Sequence, residues 1–82
     1  MAKIEEVQEQ LEGVVQRARE AGERLESLSG SMRSCIGDVE EIGGKERDTM
    51  VEALEEACQA CTQATEALEK AASTAMSYSE SI

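Results

Sequence analysis

The sequence predicts an all-α fold, a coiled-coil-like antiparallel hairpin of two helices that assembles with another hairpin into a four-helix bundle. Apolar residues recur at alternating spacings of three and four along almost the whole chain, which is the period of a helical seam. Proline is absent, and two adjacent glycines lie near the midpoint of the 82 residues. A chain of this length forms one domain, residues 1–82, with a small core of its own.

The first helix is predicted over about residues 2–41. Its apolar seam has no missing step and consists of Ile4, Val7, Leu11, Val14, Ala18, Ala21, Leu25, Leu28, Met32, Cys35, Val39 and Ile42. A 3.5-residue repeat sustained over about five heptads is typical of a coiled-coil seam. The positions outside the seam are filled mainly by Glu, Gln and Arg. The first helix should therefore pack along its length against a neighbour.

A turn is predicted at about residues 42–45, in the stretch Ile42-Gly43-Gly44. Glycine adopts positive φ without steric cost, and adjacent glycines commonly end helices. We expect at least one of the two glycines to have a positive φ and the chain to reverse direction there. The reversal would place Ala18 opposite Leu68.

The second helix is predicted over about residues 46–80. Its seam consists of Met50, Leu54, Ala57, Cys61, Ala64, Leu68, Ala71, Ala75, Tyr78 and Ile82, which places the Tyr78 ring at the edge of the core. The positions beside this seam are also small or apolar, so the stripe is wide enough to contact more than one neighbour. The residues predicted to contact a partner are Val51, Ala53, Cys58, Ala60, Ala67 and Ala72. That partner is another helical chain, in a homodimer or a heterodimer.

Charge and hydropathy exclude several kinds of partner. The net charge is −10, and the 8 basic residues are scattered among 18 acidic ones, which disfavours binding to nucleic acid or to an anionic membrane. No apolar run approaches the roughly 18 residues of a membrane span, and the N-terminal residues lack the apolar core of a signal peptide. We therefore expect no membrane insertion, and a protein that is cytoplasmic or is secreted without a cleavable signal peptide.

Few residues offer catalytic or metal-binding chemistry. Cys58 and Cys61 form a Cys-x-x-Cys pair, but a structural zinc site needs four ligands, and the chain has no His and only one more cysteine, Cys35. Because these cysteines lie on or beside the seams, packing is the favoured interpretation, with a redox pair and a metal shared between chains as alternatives. No His is present to act as a base for a Ser or Cys nucleophile, so we expect no enzymatic activity and no cofactor.

Two long helices joined by Ile42-Gly43-Gly44 resemble the WXG (Esx-like) family of small type VII secretion proteins. Those proteins are single helical hairpins whose turn carries Trp-X-Gly; here Ile42 stands at the Trp position and Gly44 matches the Gly. The resemblance implies antiparallel four-helix homodimers or heterodimers and export without a signal peptide. It also implies a Tyr-x-x-x-Asp/Glu export signal after the second helix, where Tyr78 has the right location and Ile82 stands four residues later.

Two functions are compatible with these patterns. In the first, the chain is a non-enzymatic helical interaction protein that serves as a type VII secretion substrate, or as the targeting or chaperone partner of a larger secreted toxin. A partner of that kind resembles the small helical companions of LXG toxins. In the alternative function, which needs only the heptads, the chain is a cytoplasmic coiled-coil adaptor or antitoxin-like module unrelated to secretion.

Overall fold

The protein is a hairpin of two long α-helices. The computed structural model describes residues 3–82, in which helix α1 spans Ile4–Ile42 and helix α2 spans Arg47–Ser81. The helices pack against each other, and the described chain measures 59 × 18 × 14 Å. The predicted all-α hairpin is confirmed, and the predicted helix ends flanking the turn agree with the structure to within one residue. The predicted start of the first helix, at residue 2, lies outside the described residues.

The turn between the helices depends on both glycines. Gly43 has φ 75° and ψ −144°, and Gly44 has φ 105°. The Gly43 N–H donates a hydrogen bond of 2.9 Å to the Val39 carbonyl, and the Arg47 N–H donates one of 3.4 Å to the Gly44 carbonyl. The first bond closes the last turn of α1 and the second leads the chain into α2. The expectation of a positive φ at this position is confirmed.

Close contacts between α1 and α2 show which residues face each other. The Cys58 thiol lies 3.8 Å from the Ser29 carbonyl oxygen, so a side chain of α2 approaches the backbone of α1. Farther from the turn, a Cβ added to Gly22 would lie 3.8 Å from the Thr65 methyl group. Small side chains on both helices therefore allow close approach along this line.

The seam of the hairpin repeats these contacts at spacings of three and four. Its central residues are Leu11, Val15, Ala18, Gly22, Leu25, Ser29, Met32, Ile36 and Val39 on α1, and Val51, Leu54, Cys58, Cys61, Thr65, Leu68, Ala72 and Ala75 on α2. Beside them or at the far end, Val7, Gln8, Ala21, Ala57, Ala64 and Ser79 are also half-buried. One row of each predicted seam is correct between Leu11 and Val39 and between Leu54 and Ala75, whereas Ile4 and Ile82, at the ends of these rows, are exposed. The other row is wrong by one residue, since the small residues Gly22 and Ser29 face α2 where Ala21 and Leu28 were expected.

The core enclosed by the seam is thin. Val15, Ala18, Ala72 and Ala75 form its buried cluster, and the flanking leucines pack against that cluster. Leu68 is one of these leucines, as the predicted pairing with Ala18 requires. The largest apolar side chain classed as buried is a valine, and the Leu, Ile and Met residues of the seam are only half-buried. The hairpin alone therefore removes little apolar surface from water.

Candidate interaction surface

One flank of the hairpin is polar. Arg19 follows the seam residue Ala18, Met76 follows the seam residue Ala75, and Arg19 Nη2 lies 3.6 Å from Met76 Sδ. The rows that follow these seam positions therefore lie on the same side of both helices. This polar flank comprises Glu12, Arg19, Glu26 and Arg33 on α1, and Glu55, Thr62, Glu69 and Met76 on α2.

The opposite flank is apolar. Each residue advances about 100° around an α-helix, so Val14, which precedes the seam residue Val15, lies on the side of the seam opposite Arg19. Ala71, which precedes the seam residue Ala72, lies on this same side of α2. The open face is defined as the row of Val14 on α1, the row of Ala71 on α2, and the next row outward on each helix. It comprises Val14, Arg17, Ala21, Arg24, Leu28, Ser31 and Cys35 on α1, and Met50, Ala53, Ala57, Ala60, Ala64, Ala67, Ala71, Thr74 and Tyr78 on α2.

Large apolar side chains of the open face are in contact with solvent. Val14 is 49% exposed, Leu28 50%, Met50 45% and Tyr78 54%. A groove of about 430 Å³ on the α1 side is lined by Arg17, Glu20, Ala21, Arg24, Leu25 and Leu28. Exposed apolar surface of this kind is characteristic of interaction sites, which makes this side of the hairpin the candidate surface.

The residues assigned to the open face include no carboxylate, although Glu20 lines its groove and Asp38 continues the row of Arg24 and Ser31 towards the turn. The only charged side chains among these residues are those of Arg17 and Arg24, on the edge formed by α1. The polar flank, in contrast, carries glutamates on both helices. Because burying an unpaired charge is costly, this distribution leaves the open face as the side that another helix can cover most favourably.

The structure divides the residues predicted to contact a partner into two groups. Those exposed on the open face are Ala53, Ala60 and Ala67. Cys58 and Ala72 are instead buried between α1 and α2, and Val51 is half-buried in the same seam. For Cys58 and Ala72 the predicted partner contact is wrong, because the seam of α2 runs one residue further along the chain than expected. Val14, Leu28 and Met50 are surface residues, although the apolar period predicts seam positions for all three.

Ile42 and Tyr78 also lie outside the core. Ile42, the last residue of α1, is 86% exposed beside the turn, although the apolar period predicts a seam position. The Tyr78 ring belongs to the open face, so its predicted place at the edge of the core is wrong. Both residues belong to the row that is shifted by one position, which accounts for the two errors together.

The three cysteines occupy two kinds of environment. Cys58 and Cys61 are buried in the seam, and both are free thiols. Cys35 is exposed on the open face, so its predicted seam position is wrong. The buried pair fits the packing interpretation, because both thiols are buried in the seam and the Cys58 thiol lies 3.8 Å from the Ser29 carbonyl oxygen.

We predict that Cys35 alone reacts rapidly with a thiol reagent in the native protein, and that Cys58 and Cys61 react only when the hairpin opens. Cys58→Ser should lower the free energy of unfolding by about 1–2 kcal/mol, because a more polar group replaces a thiol in the seam. Cys35→Ser should leave it almost unchanged. Reagent kinetics and thermal unfolding of both variants measure these effects, and equal reactivity of all thiols in the folded protein would contradict the packing interpretation.

Comparison with known proteins identifies no relative. No protein-family model matches the chain, and no curated protein or solved structure matches it. Within residues 3–82, neither helix is long and apolar enough to cross a membrane. In the same residues no three His, Cys, Asp or Glu side chains come together as a potential metal site.

Proposed function

We propose that this chain is a non-enzymatic helical interaction protein whose open face binds another helical chain. The observation that carries the proposal is that the large apolar side chains of Val14, Leu28 and Met50 are exposed, although one row of the seam carries small residues such as Gly22 and Ser29. A hairpin that acted alone would gain stability by burying its large side chains between its own helices. The open face supplies the apolar surface that a partner helix would bury.

The length of the open face suits a partner helix. The hairpin measures 59 × 18 × 14 Å, and the open face extends along it from Val14 and Tyr78 at one end to Cys35 and Met50 near the turn. A partner helix of similar length could cover the whole face. The small side chains of Ala53, Ala60 and Ala67 let a partner helix approach α2 closely, because the distance between helix axes depends on the side chains at the contact.

We propose that this interaction serves type VII secretion. Two helices of similar length, a glycine turn at the position of the WXG motif, and Tyr78 exposed near the end of α2 support it. The chain would then be a secretion substrate, or the targeting or chaperone partner of a larger secreted toxin. It would leave the cytoplasm without a cleavable signal peptide, in a complex formed through the open face.

A cytoplasmic adaptor or antitoxin-like module is the second candidate. The observation that favours it is the residue four places after Tyr78, which is Ile82, where the export signal of the WXG family carries an acidic residue. Glu80 stands only two places after the tyrosine. The adaptor would use the same open face but would stay in the cell.

Mass measurement of the purified protein, alone and co-expressed with the products of neighbouring genes, tests the proposed interaction. We expect a mass above the 8.9 kDa of one chain in at least one of these preparations. Ala60→Glu, on the open face, should reduce the complex, whereas Gln59→Glu, on the adjacent exposed position, should not. A monomer in every preparation, or equal behaviour of the two variants, would contradict the proposal. Tyr78→Ala separates the two uses, because it should reduce release into the medium only in the secretion role.

A further inference from the structure

We propose that the turn end of the hairpin, residues 30–57, unfolds locally while the far part, residues 3–29 and 58–82, stays folded. The boundary between the two parts is the contact of the Cys58 thiol with the Ser29 carbonyl oxygen. This local unfolding needs no partner on the open face, so it goes beyond the proposed function. Four properties of the turn end support it: its burial, its lack of hydrogen bonds between the helices, its glycines and its charge.

No residue of the turn end is buried. The buried residues of the described chain all lie in the far part, and they are Val15, Ala18, Gly22, Ser29, Cys58, Cys61, Ala72 and Ala75. The apolar seam residues of the turn end are only half-buried, and these are Met32, Ile36, Val39, Val51 and Leu54. Incomplete burial of this kind is typical of segments that open at a low free energy.

Side-chain hydrogen bonds between the two helices are also confined to the far part. Gln8 Nε2 donates a hydrogen bond of 3.0 Å to the Ser79 carbonyl, and Arg19 Nη2 lies 3.6 Å from Met76 Sδ. The third such contact is the one that forms the boundary. Among residues 30–57 no side chain of one helix hydrogen-bonds to the other helix, so the turn end is held closed by partly covered apolar side chains alone.

Two glycines of the turn end weaken α1 without serving its packing. Gly30 and Gly37 have ordinary helical φ, and a Cβ added to either would meet no atom within 4 Å. Neither the backbone conformation nor the seam therefore requires glycine at these positions. Each one shifts the equilibrium towards the unfolded segment by about fivefold relative to alanine. The exposed Ser31 and Ser34 lower the helix propensity of the same stretch further.

The charge of the turn end acts in the same direction. Residues 30–57 contain eight acidic and three basic residues, so about a third of the chain carries half of the net charge of −10. Four carboxylates and one guanidinium line a groove to which both helices contribute, and they belong to Glu40 on α1 and to Arg47, Asp48, Glu52 and Glu55 on α2. Separation of the helices in this segment relieves the repulsion between these carboxylates.

The far part keeps the hairpin together while the turn end unfolds. It contains the buried cluster of Val15, Ala18, Ala72 and Ala75. This cluster holds both ends of the unfolded segment in place, at a loop-closure cost that grows only slowly with the length of the loop. Local unfolding then releases the half-buried apolar side chains of the turn end, which the closed hairpin does not present to other molecules.

The test is amide hydrogen exchange of the intact chain, resolved along the sequence by mass spectrometry of peptides. We expect the amides of residues 30–42 and 47–57 to exchange about tenfold or more faster than those of residues 15–25 and 61–75. Gly37→Ala should slow exchange in the turn end by about fivefold, because it stabilises the folded form of that segment.

Gly13→Ala is the matched control. Gly13 also lies within α1, and a Cβ added there would meet no atom within 4 Å. Because this substitution stabilises only the far part, it should leave the exchange of the turn end unchanged. Equal slowing of the turn end by Gly13→Ala and Gly37→Ala would show that the hairpin opens as a single unit, and would overturn the inference. Exchange in the turn end as slow as in residues 15–25 would overturn it as well.

Discussion

Leu28→Glu should weaken association through the open face by about a hundredfold. Leu28 is half-exposed in the hairpin and lies near the centre of the open face. The substitution removes up to about 1.5 kcal/mol of apolar burial, because half of the Leu28 side chain is already covered in the hairpin, and it adds the cost of bringing a carboxylate into the contact, which Arg24 in the same groove offsets only in part. Each 1.4 kcal/mol corresponds to a tenfold change in affinity, so the two contributions together give about two orders of magnitude.

Ser27→Glu is the matched control for this substitution. Ser27 is exposed one residue earlier on the same helix and points away from both the seam and the open face. The Ser27→Glu substitution adds the same charge at a neighbouring position of α1, so any general effect of charge on association appears in both variants. Light scattering over a range of concentrations should show a shift towards monomer only for Leu28→Glu, and equal masses for the two variants would count against the open face as the interface.

Ionic strength distinguishes a second copy from a basic partner. Two chains that each carry a net charge of −10 repel each other at long range, and salt screens this repulsion within about 10 Å at 0.1 M. Self-association should therefore strengthen as salt is added. Binding to a basic protein would weaken under the same conditions, because the screened interaction would then be attractive.

The architecture was predictable from local features of the sequence. The absence of proline and the sustained apolar period predict two helices, and Gly43-Gly44 marks the single place where both chemistry and position favour a reversal. These features depend on backbone preferences, which need no knowledge of the partner. The hairpin and both helix ends beside the turn could therefore be predicted.

The phase of the seam could not be predicted from apolar character alone. The row containing Leu11, Ala18 and Leu25 is common to two possible stripes, one that adds Val14 and Leu28 and one that adds residues such as Gly22. Hydrophobicity favours the first stripe, but the structure uses the second inside the hairpin because small residues permit close approach of the helices. The first stripe remains apolar and becomes the open face.

A signal for the correct phase is nevertheless present in the sequence. The row Val51, Cys58, Thr65 and Ala72 of α2 repeats every seven residues with side chains of small or moderate size. Its counterpart in α1 contains Gly22 and a serine, so two rows that permit close approach lie opposite each other when the hairpin closes. The pairing of small residues on both helices therefore distinguishes the stripe that forms the seam from the stripe that forms the open face.

Gly43→Val and Gly44→Val should each destabilise the hairpin by about 1–3 kcal/mol, the cost of holding a residue with a Cβ in a sparsely populated backbone region. Gly43, at φ 75° and ψ −144°, lies in a region that is essentially restricted to glycine, and Gly44 has φ 105°. A Cβ at either position would meet no atom within 4 Å, so the cost comes from the backbone and not from a clash.

Gly43→Asn tests this origin of the cost. Asparagine replaces glycine readily at helix ends in the left-handed helical region, where ψ is about +47°. The ψ of −144° at Gly43 is far from that value, so asparagine should destabilise the turn almost as much as valine does. Rescue of stability by asparagine would show that the turn can relax to an ordinary left-handed cap.

Gly13→Ala and Gly37→Ala provide the matched controls for the turn. Both glycines lie within α1, have no atom within 4 Å of an added Cβ, and have ordinary helical φ. Each substitution should stabilise the protein by up to about 1 kcal/mol, because alanine has the higher helix propensity. Thermal unfolding should therefore move in opposite directions for the turn and helix variants. If valine at positions 43 and 44 left the unfolding temperature unchanged, the helix would run through the glycines and the chain would form one long rod.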